Sequence, residues 1–162
     1  MSYKFSADLP YPQVDIKVKS PIETRLLMSV YGGRESETTA IMGYIYASYV
    51  TSDELSDCLR KIAINEMHHH SMLGKAIAEL GGTPYIGGTH SYWQGGFVNY
   101  VKDPVAILKN NIANEHQAIR DYQFVISRTS IPDIRLLAER IILDEEVHIE
   151  TLTELLATFK NK

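Results

Sequence analysis

The chain has 162 residues, 44% of them apolar and 22% charged, which suits one folded domain with one core and is too apolar for a disordered chain. A formal net charge of −4 excludes a basic surface for wrapping nucleic acid, and no apolar run is long enough to span a bilayer. One cysteine, Cys58, excludes an intrachain disulfide, a rubredoxin-type four-cysteine iron site and a zinc ribbon; it reads as a small apolar residue on a helix.

Residues 1–20, with Pro10, Pro12 and alternating Val14, Ile16 and Val18, predict an extended arm across the rest of the fold, or a short edge strand. They hold no apolar run of the signal-peptide kind, so a reducing cytoplasm is the expected location. Pro21 suits a helix start, and the helix signal runs over about 22–50, weakened at Gly32-Gly33, where a kink is expected. Thr51 and Glu54 have capping-box spacing and open a second helix over about 53–80, which Gly81-Gly82 ends. Residues 82–102 are rich in glycine and aromatics and lack helical period. So long a loop is expected to travel the length of a bundle, which makes the second and third helices parallel. Tyr85, Tyr92, Trp93, Phe97 and Tyr100 should pack on the outside of the helices, a substrate lid being the alternative. Asp103-Pro104 starts a third helix over about 104–128, and Ser130 with Pro132 opens a fourth over about 132–158. The expectation is a single all-α domain over 1–162, a four-helix bundle with one long crossover.

The two halves resemble each other. Glu37, Ala40, Ile41 and Tyr44 on the first helix recur as Glu115, Ala118, Ile119 and Tyr122 on the third. The second helix carries Glu66 and His69 and the fourth Glu145 and His148, both as Glu-x-x-His, 29 and 30 residues after Glu37 and Glu115. Positions i and i+3 share a helix face, so each pair aims two ligand atoms at one point. A glutamate at matching height on each remaining helix completes four carboxylates and two imidazoles, a set suited to two metal ions. Four negative charges balance two divalent cations, whereas without metal the carboxylates would repel one another. Asp144 and Asn65, each just before a motif glutamate, are placed to orient the ring N–H of the histidine from the other half, Asp144 serving His69. Tyr44 and Tyr122, two turns beyond their glutamates, read either as core packing or as hydrogen-bond partners of a ligand carboxylate. The repeat selects His69 from the run His68–His70, with His70 as a substitute ligand at i+4; His68, Glu35, Glu146, His116 and Arg120 read as exposed.

With these motifs the sequence resembles the ferritin-like superfamily, close to rubrerythrins and manganese catalases, over roughly residues 22–160. The resemblance implies that Glu37 and Glu115 are terminal metal ligands, that Glu66 and Glu145 bridge two metals, and that His69 and His148 cap one metal each. Two departures stand out. No rubredoxin module accompanies the bundle, and Ala118 replaces the additional glutamate that rubrerythrins tend to carry three residues after the third-helix ligand.

The expected function is that of a redox dimetal oxidoreductase, with Glu37, Glu66, Glu115 and Glu145 at the reacting centre. Iron is the favoured metal and manganese the alternative, since mixed carboxylate and imidazole ligands accommodate both. The substrate would be hydrogen peroxide or dioxygen, reduced by an unidentified electron donor in a rubrerythrin-like peroxidase. Manganese catalase chemistry and ferritin-like iron storage with ferroxidation are the alternatives. A homodimer is expected, with neither nucleic acid nor membrane as partner.

Overall fold

The computed structural model describes residues 3–160, so the first two residues of the expected arm lie outside the described residues. From residue 3 to residue 19 the arm carries neither helix nor strand and crosses the bundle, with Val14 and Ile16 buried. Ser20 then caps α1 (Pro21–Gly32), its hydroxyl accepting the Glu23 amide at 3.3 Å. The single helix expected over 22–50 is corrected to two, α1 and α2 (Glu37–Val50), parted by an irregular turn at 33–36. Gly33 and Ser36 are both extended there. The crossover presses on this turn: a Cβ on Gly32 would stand 2.6 Å from the Gly87 amide nitrogen. The break makes Glu37 the first residue of α2, where a carboxylate faces the positive end of the helix dipole.

Two residues join α2 to α3 (Asp53–Glu79), and the tight turn leaves Asp53 at φ 53°, a left-handed conformation that aspartate tolerates better than most residues. The expected capping box does not form. Ser52 is the N-cap, but its hydroxyl donates to the Asp53 carboxylate and accepts from no helix amide, and the Thr51 hydroxyl donates back to the Ala47 carbonyl at 2.8 Å. Past α3, Gly81 takes φ 87° and the Gly82 amide reaches the Ile77 carbonyl at 2.9 Å, which ends the helix. Asp103 caps α4 (Pro104–Arg128) through the Ala106 amide at 2.8 Å, and α5 (Pro132–Lys160) completes the bundle.

Two apolar clusters fix how the rods run. One gathers Leu27 and Tyr31 of α1, Leu73 and Ile77 late in α3, Tyr122 and Val125 late in α4, and Ile134 and Ile141 early in α5. The other gathers Tyr44 and Ala47 of α2, Leu55 and Leu59 early in α3, Ile107 and Leu108 early in α4, and Leu152 and Leu155 late in α5. Helices α3 and α4 are therefore parallel and α5 is antiparallel to both, as a long crossover requires. Each fully buried aliphatic side chain contributes about 1.5–3 kcal/mol.

The crossover is pinned to the first two helices. Trp93 Nε1 donates to Thr39 Oγ1 at 2.9 Å, Tyr31 Oη to the Pro84 carbonyl at 3.0 Å and Tyr46 Oη to the Tyr100 carbonyl at 3.0 Å. Its aromatic packing is only partial: Tyr92 is 78% exposed and Tyr100 56%, while Val98 supplies the buried contact. Among the described residues no helix is long and apolar enough to cross a membrane.

Candidate dimetal centre

Between the two apolar clusters the bundle interior turns polar. Glu37 of α2, Glu66 and His69 of α3, Glu115 of α4 and Glu145 and His148 of α5 converge there, all buried. Their ligand atoms form two groups, each lying within 4.8 Å of one another: Glu37, Glu66, His69 and Glu145, then Glu66, Glu115, Glu145 and His148. His69 Nδ1 stands 2.9 Å from Glu66 Oε2, 3.4 Å from Glu145 Oε1 and 3.7 Å from Glu37 Oε2. His148 Nδ1 stands 3.0 Å from Glu145 Oε2, 3.2 Å from Glu66 Oε1 and 3.6 Å from Glu115 Oε1. Glu66 and Glu145 thus offer one oxygen to each group, while Glu37 and Glu115 each belong to one.

The outer nitrogen of each histidine is held by the other half of the chain. His69 Nε2 lies 2.9 Å from Asp144 Oδ2, and His148 Nε2 lies 3.0 Å from both Asn65 Oδ1 and the Phe5 carbonyl. These acceptors require Nε2 to carry a proton, so Nδ1 is the atom that faces the carboxylates and that a metal ion would meet. The tyrosines cross in the same way: Tyr44 Oη donates to Glu115 Oε1, and Tyr122 Oη to Glu37 Oε1. Of the two readings of these tyrosines, the hydrogen-bond partner describes what is seen, and each partner carboxylate belongs to the opposite half.

Burial and crowding set the charges. Burial, then the neighbouring Glu145 and Glu66, push the Glu115 carboxyl up to about 8. Burial and Glu66 likewise raise Glu37 well above the carboxylate range. Burial would also raise Glu66, but His148 and His69 outweigh it and hold that carboxyl low. Burial opposes charge on His69 and His148 too, yet the carboxylates facing them, led by Glu37 for His69 and Glu66 for His148, push both well above the usual imidazole range. Without an ion, the centre must share protons among its carboxylates and imidazoles.

The donor set fits a pair of cations. Glu66 Oε1 is buried and accepts no hydrogen bond, a costly state that a bound cation relieves. Inward Nδ1 atoms, outward N–H groups with acceptors and four carboxylates match what two divalent ions require.

Other histidines and acids fall outside the centre. His70 is half-buried and stacks on Tyr31 at 4.1 Å between ring centroids, and it joins neither ligand group. His68, Glu35, Glu146, His116 and Arg120 are exposed. Sequence reasoning missed Tyr11 and Arg140. Arg140 Nη1 donates to Asp144 Oδ1 at 2.6 Å, and Tyr11 Oη donates to Asp144 Oδ2 at 2.5 Å. The spacing of Arg140 to Asp144, one helical turn, was a readable signal; nothing comparable marks Tyr11.

A cavity of about 450 Å³ leads to the centre between α2 and α4. Glu37, Gly43, Tyr44, Glu115 and Tyr122 line it, with Ala118 on the α4 side and Phe97, Val98, Asn99 and Val101 contributed by the crossover. A Cβ on Gly43 would meet nothing within 4 Å.

No protein-family model matches the chain. Over 93% of its length it is 24% identical to a probable manganese catalase of Clostridium acetobutylicum, covering 77% of that protein. KatB, a manganese catalase from Anabaena, superposes with a TM-score of 0.87 at 23% identity, over 97% of this chain and 81% of that one. The bacterioferritin of Rhodobacter capsulatus superposes with a TM-score of 0.76 at 21% identity, over 89% of each chain. Together with the bundle and its crossover, these likenesses show that the chain has the ferritin-like four-helix fold and is similar in sequence to a manganese catalase.

Proposed function

We propose that this protein is a dimetal redox enzyme that disproportionates hydrogen peroxide with a pair of manganese ions. The observation that carries the reading is the closed set of six buried donors, with two carboxylates common to both histidines. Likeness to manganese catalases along nearly the whole chain supports manganese over iron. When bound, such a pair supplies two electrons to one peroxide and recovers two from the next, giving water and dioxygen.

The chain's own part is placement and exclusion. Glu66 and Glu145 would hold both ions, with Glu37 and His69 completing one site and Glu115 and His148 the other. The Tyr44 and Tyr122 hydroxyls keep the terminal carboxylates from swinging, each holding its proton on an Oε1 atom. Ala118 stands at the cavity wall where the resemblance to rubrerythrins would put a further carboxylate, and it offers no ligand atom there. Burial excludes bulk water and strengthens every charge interaction inside.

The test is metal analysis of protein from native cells, joined to peroxide assays. Manganese at two ions per chain and one dioxygen released for every two peroxides, with no added reductant, are expected. Two iron ions, with peroxide consumed only in the presence of an electron donor, would instead establish the rubrerythrin-like reading, which the same donors suit. A purified protein with neither metal and no activity after reconstitution would sink both.

The cavity gives a second test. Gly43→Phe places a ring in open space beside the centre and improves helix propensity. It is expected to lower kcat/KM for peroxide by on the order of tenfold, with two ions still bound and stability within about 1 kcal/mol of the parent. Unchanged kinetics would show that peroxide enters elsewhere.

A further inference from the structure

The N-terminal arm reaches the centre at one residue that touches the outer partners of both histidines. Tyr11 lies between Pro10 and Pro12, which confine it to extended backbone. Its ring stacks over the Arg140 guanidinium at 4.2 Å, and its hydroxyl donates to Asp144 Oδ2 at 2.5 Å while accepting from Asn65 Nδ2 at 2.9 Å.

The order of donors along this chain is dictated link by link. Arg140 and the Ala7 amide, at 2.6 Å and 2.7 Å, can only donate, and both address Asp144 Oδ1. Asp144 Oδ2 receives His69 Nε2 and the Tyr11 hydroxyl. A hydroxyl has one proton, so Tyr11, having given it to Asp144, can only accept from Asn65. Asn65 must therefore turn its amino group to Tyr11 and its carbonyl to His148 Nε2. Flipped, its amino group would face the His148 N–H, donor against donor.

We propose that Tyr11 is a positioning residue for metal binding: through Asn65 it fixes the orientation of His148 and joins both histidines in one hydrogen-bonded network. This rests on the metal-binding reading above. Through Asp144 the effect on His69 is small, because Arg140 and Ala7 hold that carboxylate without Tyr11. The effect on His148 is larger, since Asn65 Nδ2 has no other hydrogen-bond partner among the described residues and a turned Asn65 would leave the Phe5 carbonyl to hold Nε2 against a facing donor.

The test uses the full chain and Mn²⁺, with binding followed by equilibrium titration and electron paramagnetic resonance. Tyr11→Phe keeps the ring over Arg140 and removes only the hydroxyl. Affinity for one ion is expected to fall by about tenfold, the lower range for loss of an outer partner, so that at intermediate Mn²⁺ an isolated-ion spectrum replaces that of the coupled pair. Adding Asn65→Asp should restore the second ion, because a carboxylate accepts the His148 N–H whichever way it turns. A role in packing alone would not be rescued by a buried charge. Tyr11→Phe binding both ions like the parent, losing both together, or failing to be rescued overturns the proposal. Should the variants fold poorly, nitrogen NMR of the zinc-loaded parent decides instead: an Asn65 side-chain amide protected from solvent exchange sustains the proposal, and one that exchanges freely overturns it. A parent that binds no metal refutes the functional reading itself, and this inference falls with it.

Discussion

Replacing Glu115 by glutamine is expected to stabilise the metal-free protein and at the same time destroy tight binding of one ion. The Glu115 carboxyl is pushed up to about 8 by burial and by Glu145 and Glu66, whereas in an unfolded chain it titrates near 4.5. Between these values the folded state holds a proton that the unfolded state has released, so stability is lost as pH rises from 4.5 towards 8. Glutamine carries no such cost. Glu115→Gln should equal the parent near pH 4.5, gain with rising pH, and level off above pH 8 at an advantage on the order of a few kcal/mol. Its Oε1 can still accept from Tyr44, so the local packing persists. Metal binding moves oppositely. Losing an outer partner alone costs about 10–100-fold, and a direct charged ligand should cost at least about 100-fold. Denaturant unfolding of metal-free protein across this pH range, beside Mn²⁺ titration, checks both halves; a variant less stable than the parent at pH 8 would contradict the charge assignment.

The parent itself should show the second large effect. Glu37, Glu115, His69 and His148 all have raised folded-state pKa values, so each favours the folded state at low pH and loses that contribution as pH rises. Glu66 and Asp144 are lowered, and their contribution is complete above about pH 5 and lost only below it. Without metal, Tm is expected to fall by on the order of 10 °C between pH 5 and pH 8. With Mn²⁺ in excess the trend should reverse, because binding requires these groups to release their protons and affinity therefore rises with pH. Thermal scans with and without chelator across that range are sufficient. A metal-free Tm that climbs from pH 5 to pH 8 would contradict the proposed sharing of protons.

The parts of this centre that could be read from sequence are those governed by helical geometry. Glu66 with His69, and Glu145 with His148, share a helix face because three residues is nearly one turn, and the repeat placed Glu37 and Glu115 opposite them. The parallel α3 and α4 followed from the length of the crossover. What escaped the sequence depends on contacts between segments with no common period. Tyr11 sits in an arm without periodicity, and only the folded bundle brings it to Asp144 and Asn65. The break at 33–36 was visible only as two weak helix formers, because its cause is the approach of Gly87 from a distant loop. The tyrosines were seen on the correct face, but their carboxylate partners belong to the opposite helix, which spacing along one helix does not reveal.

That crossing ties the two halves together. Tyr44 braces Glu115 and Tyr122 braces Glu37, just as Asp144 serves His69 and Asn65 serves His148. Neither hairpin supplies the supports for its own donors. Either half on its own would therefore gain a braced centre only by pairing with a second copy, so the two halves are obliged to meet in one chain.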